Sequence, residues 1–127
     1  MKSLLIVTAL IEGATGLLLL AAPSVVTRLL LDSSLDGSVP LIVARLTGLA
    51  LLTLTVACWL ARLDGETRAA NGLVTAMVLY NVGAAALLAY AGIALRLSGI
   101  FLWPAVLLHA VMAAWCVISL KRRPAKD

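Results

Sequence analysis

Each of four long apolar stretches of this chain carries one conspicuous polar side chain: Glu12, Arg45, Asn81 and His109. In hydrocarbon an ionisable side chain costs on the order of 2.5 to 3.5 kcal/mol, so such groups turn toward one another or line a wet cavity. Two uses follow from the residue types. They can satisfy each other as a buried hydrogen-bonded network, or they can present a carboxylate, an imidazole and an amide to a small amphipathic ligand. A carboxylate at mid-membrane can also trade its proton for a cation, because the two compete for one charge. A softer set lies further along: His109, Met112 and Cys116 are spaced i, i+3 and i+7, hence share one helical face, and Cys58 ends a neighbouring apolar stretch. Such groups suit Cu(I), and His with Met suits haem. Met and Cys are also ordinary packing residues in apolar helices, and a dithiol at a cytoplasmic edge stands in a reducing place. We therefore assign no metal site and no catalytic residue, and leave the cofactor open.

The elements that position these groups follow from composition and length. Of 127 residues 63% are hydrophobic and 13% charged, with a mean hydropathy of +1.10, where a soluble domain carries roughly 25% charge. Lipid is the solvent this composition calls for. One His and two Cys exclude a disulfide-rich scaffold and a zinc site of four soft ligands. A bilayer core about 30 Å thick needs roughly 20 apolar residues per spanning helix, and four stretches qualify: 3–22, 41–61, 73–95 and 100–120. Each is too long and too continuous for a barrel strand. The expected fold is a single all-α domain, 1–127, an integral membrane bundle of four transmembrane helices. Lys2 before an apolar run ending Leu20-Ala21-Ala22 has the outline of a signal peptide, but Glu12 interrupts the run and Pro23 follows the would-be cut, so we read a retained span.

Punctuation agrees with these ends: Pro23-Ser24, Asp36 to Pro40, Asp64-Gly65, Asn71-Gly72 and Ser98-Gly99. Only the first connector is long enough to hold structure. There Val25, Val26, Leu29 and Leu30 share one helical side while Ser24, Thr27 and Arg28 take the other, which fits a short interfacial helix or, equally, a greasy loop packed on the rim.

Orientation follows from the basic residues. With both termini inside (N-in, C-in), Lys2, Arg62, Arg68, Lys121, Arg122, Arg123 and Lys126 are cytoplasmic, against Arg28 and Arg96 outside. The net charge of +4 is thus mainly a topology signal, with a basic tail at 121–127, and the tail has no interleaved aromatics to suit a nucleic acid. Trp59 and Trp115 then mark the inner boundary, and Tyr90, Phe101 and Trp103 the outer one. At 1.5 Å per residue, Glu12 and Asn81 lie roughly 13 Å from the inner ends, and His109 reaches about the same level from the other side. Arg45 is only some 7 Å below the outer end of its helix by the same count and can snorkel outward. Small residues flank each group at helical spacing: Thr8, Ala9, Thr15 and Gly16 around Glu12, Gly48 after Arg45, Ala84 and Ala85 after Asn81, Ala105 and Ala113 around His109. They allow close helix packing and would permit a homo-oligomer.

The layout of four helices with a glutamate in the first resembles the small multidrug resistance transporters, though the strong positive-inside bias here fixes one orientation. Glu12-Gly13 with Leu17 to Leu20 before Pro23, followed by Ala44-Arg45-Leu46-Thr47-Gly48, resembles the DoxX-like four-helix inner-membrane proteins of bacteria, while Tyr80-Asn81 and Pro104 through His109 resemble uncharacterised bacterial proteins of this size. That resemblance implies a bacterial cytoplasmic-membrane home, with Glu12 and Arg45 as the positions to test. It also implies redox chemistry on a quinone or a sulfur compound as an alternative to ligand binding or transport. A third alternative is a structural subunit of a membrane complex.

Overall fold

The computed structural model describes residues 1–65 and 67–121. The elements run α1 (Lys2–Ala21), α2 (Pro23–Leu31), α3 (Ser38–Ala61), α4 (Arg68–Ile93) and α5 (Leu102–Lys121). Among the described residues there is no strand. Helices α1, α3, α4 and α5 are each long and apolar enough to cross a membrane, so the chain is all-α with four helices of spanning length. Of the expected basic tail, Lys121 closes α5, and 122–127 lie outside the described residues.

Local chemistry explains where the helices break. Pro23 disfavours helical geometry at the residue before it, and Ala22 accordingly sits at φ −141°, ψ 60°, ending α1 and starting α2 at once. Pro23 then occupies the first turn of α2, where its missing N–H costs nothing. The first connector therefore holds a helix where a loop is the other expectation. Asp32 closes it in the left-handed region, at φ 51°. Two helices begin earlier than the apolar pattern suggests. Pro40, expected to precede the second span, lies in the first turn of α3, where a proline is tolerated. Asn71-Gly72, expected to border the third span, lies inside α4, because Thr67 caps that helix by accepting from the Ala70 N–H at 3.1 Å. The polar opening of α4 hides this start in the apolar pattern. A capping side chain can start a helix ahead of its apolar stretch.

The long helices pack chiefly as two antiparallel pairs, α1 with α3 and α4 with α5, while α3 and α4 touch little. Glycine makes the first pair close: a Cβ on Gly16 would meet the Gly48 carbonyl oxygen at 2.8 Å, and one on Gly48 would meet that of Gly16 at the same distance. Side chains from all four then share one apolar cluster: Leu4, Leu5 and Ala9 of α1, Cys58 of α3, Val74 and Met77 of α4, Met112 and Cys116 of α5. Helix α2 is held against the α4–α5 connection by the backbone. The Phe101 N–H donates to the Leu29 carbonyl at 2.9 Å, and Gly99 packs so tightly on the Leu30 backbone that any side chain there would overlap it.

Candidate functional site

Each helix of the site presents its polar group within a buried stripe. On α1, Leu5, Thr8, Ala9, Glu12, Gly16 and Leu19 are buried at helical spacing, so Glu12 is carried inward by the residues that pack the helix. On α4 the stripe is Ala70, Val74, Met77 and Asn81. On α5 it is Leu102, Met112, Ala113 and Cys116, with half-buried His109 one turn before Met112. Glu12 is 4% exposed and Asn81 1%.

The groups meet through a residue outside the expected set. The Tyr80 hydroxyl donates to Glu12 Oε2 at 3.2 Å. The Tyr80 ring meets the His109 imidazole edge-on, with centroids 5.6 Å apart and planes at 83°. His109 Nδ1 lies 2.9 Å from Asn81 Oδ1, and Asn81 Nδ2 donates to the Met77 carbonyl at 2.8 Å. Glu12, Tyr80, His109 and Asn81 therefore form one continuous contact from α1 through α4 to α5, at the common depth expected from the 1.5 Å rise per residue. Tyr80 carried a usable signal in the sequence. A tyrosine belongs at a membrane interface, and this one falls near the middle of a span, where its hydroxyl needs a partner.

Arg45 does not join them. It is exposed on α3 and takes no part in the hydrogen bonds and ring contact that, through Tyr80, join the other three expected residues. The stripe of α3 that turns inward runs through Leu41, Ala44, Gly48, Leu51, Thr55 and Cys58, all buried or half-buried. Arg45 is one position from Ala44, about 100° further round the helix, so the small Gly48 one turn later is no guide to its direction.

Beside the contact lies a cavity of about 160 Å³. Glu12, Tyr80 and His109 are among its lining residues, with Thr15 beside them, Leu88 and Leu108 on the apolar side, and Val26 and Leu30 of α2. The short helix thus forms one wall of the cavity. The soft face of α5 is arranged for packing: Met112 and Cys116 belong to the apolar cluster while His109 turns to Asn81. Cys58 and Cys116 are both free, buried thiols in that cluster. Among the described residues no three His, Cys, Asp or Glu side chains converge as ligands of one ion would.

Compared with known proteins, the chain matches no family model, and neither the curated proteins nor the solved structures searched give a significant match.

Proposed function

We propose that this chain is a four-helix bundle of the bacterial cytoplasmic membrane, both termini cytoplasmic, that binds a small amphipathic molecule between its helices. The observation that carries the reading is the cavity flanked by Glu12, Tyr80 and His109: a carboxyl, a phenol and an imidazole opening on the same space at mid-helix. A purely structural network would close that space, since an intramembrane polar group gains nothing from an unfilled void beside it. Size limits the guest. An apolar cavity of about 150 Å³ holds benzene, and drug-sized ligands need roughly 300 Å³ or more, so about 160 Å³ suits a head group of one ring or less. The tail would extend along α2 toward lipid. The distribution of basic residues supports the orientation, and the DoxX-like resemblance supports the choice of membrane. The redox alternative rests on that resemblance alone.

The test is native mass spectrometry of the full chain extracted from its membrane in mild detergent. We expect one small molecule retained per chain, lost in Glu12→Gln while the variant keeps its helical circular dichroism. A bare wild-type chain, or a molecule retained equally by the variant, contradicts the reading.

A further inference from the structure

The hydrogen bonds around His109 determine which chemistry the cavity asks of its guest. Asn81 Nδ2 faces the Met77 carbonyl at 2.8 Å. A carbonyl only accepts, so the amide NH₂ lies on that side and Oδ1 on the other. Oδ1 also only accepts and stands 2.9 Å from His109 Nδ1, so Nδ1 carries the hydrogen. In a neutral imidazole that leaves Nε2 a bare acceptor. Glu12 is arranged likewise. Its Oε2 accepts from Tyr80, and its Oε1 has no protein donor among the described residues. Neither atom is sealed in, because the buried side-chain polar atoms lacking a partner among those residues are Thr8 Oγ1 and Asn71 Oδ1. Both Glu12 and His109 line the cavity, and exposed Arg45 supplies no counter-charge to it.

We propose that the cavity selects a hydrogen-bond-donating cation: a small primary ammonium on a ring or short apolar tail, its charge taken by Glu12 Oε1 and a second N–H by His109 Nε2. This deepens the binding reading above and rests on it. An ammonium brings three donors and no acceptor, the complement of two open acceptors. A ketone, ester or quinone head brings acceptors only and finds the Tyr80 hydroxyl already committed to Glu12. Asn81 is a positioning residue. It touches no guest and acts by holding the proton on Nδ1.

The chain has one histidine, so ¹⁵N-histidine labelling of the full chain in bilayers reports a single imidazole. We expect Nδ1 protonated and Nε2 bare in the ligand-free protein, with the Nε2 resonance moving on addition of benzylamine. Corrected for partition into protein-free bilayers, benzylamine should bind about ten-fold tighter or more than acetophenone, a similarly sized acceptor-only probe. Glu12→Gln should erase the preference, and Asn81→Leu should mix the tautomers and weaken benzylamine several-fold. An Nε2–H tautomer in the wild type overturns the proposal, as does acetophenone binding as tightly as benzylamine, which would leave the binding reading standing. Failure of both probes to bind would remove the binding reading and this inference together.

Discussion

Along α1, Gly13 and Gly16 meet α3 with almost nothing between the helices, whereas Glu12 reaches across to Tyr80 of α4 at 3.2 Å beside an open cavity. One helix therefore builds two unlike interfaces. The α1/α3 seam is a contact of backbones, possible because Gly16 and Gly48 lack the atom that would hold the helices apart. In lipid such packing substitutes for the hydrophobic drive that water would supply. The region among α1, α4 and α5 is held by side chains instead, and there the polar groups and the space collect. Tight packing at Gly16, one turn from Glu12 in the same buried stripe of α1, fixes the helix that carries the carboxyl, so the seam supplies rigidity and the cavity supplies chemistry.

The largest expected effect breaks the seam. Gly16→Val forces atoms into the Gly48 carbonyl and should destabilise the fold by about 3 kcal/mol, measured by unfolding in mixed micelles; a near-neutral result would mean the helices are further apart than the structure has them. Asn81→Leu strikes the other region. It leaves the His109 N–H without its acceptor and should cost about 2 kcal/mol in the same assay. Tyr80→Phe removes one hydroxyl from the polar contact and should cost about 0.6 kcal/mol, the usual scale between membrane helices, while the variant stays monodisperse. A change of similar size runs the other way. Gly83 on α4 has nothing near its missing side chain, so Gly83→Ala should stabilise by roughly 0.5 to 1 kcal/mol through helix propensity alone. If Gly83→Ala were as damaging as Gly16→Val, glycine content rather than contact would explain the seam.

Much of this was legible in the residue pattern. Four spanning lengths are set by bilayer thickness, and the common depth of Glu12, Asn81 and His109 needs only the helical rise. The break at Ala22 follows from Pro23. What the sequence hid is angular. Depth says nothing about which way a side chain points in a helix that is apolar all round, so Gly48 after Arg45 resembles the small residues around Glu12 although a single position turns Arg45 away from the inward stripe. Tyr80 is hidden for the same reason: beside it Asn81 is the conspicuous polar group, and only the structure shows that these adjacent residues of α4 serve two partners, Glu12 of α1 and His109 of α5. The Gly16/Gly48 pairing was likewise hidden, since small residues recur on every span.

The central claim is that groups on separate helices meet inside the protein and hold a site open. A double-mutant cycle between Glu12→Leu and Tyr80→Phe, read as unfolding free energy in bicelles, tests it most directly. The expected coupling is about 0.6 kcal/mol, the average for hydrogen bonds between membrane helices. Effects that simply add, to within about 0.3 kcal/mol, would show that the carboxyl and the phenol never touch.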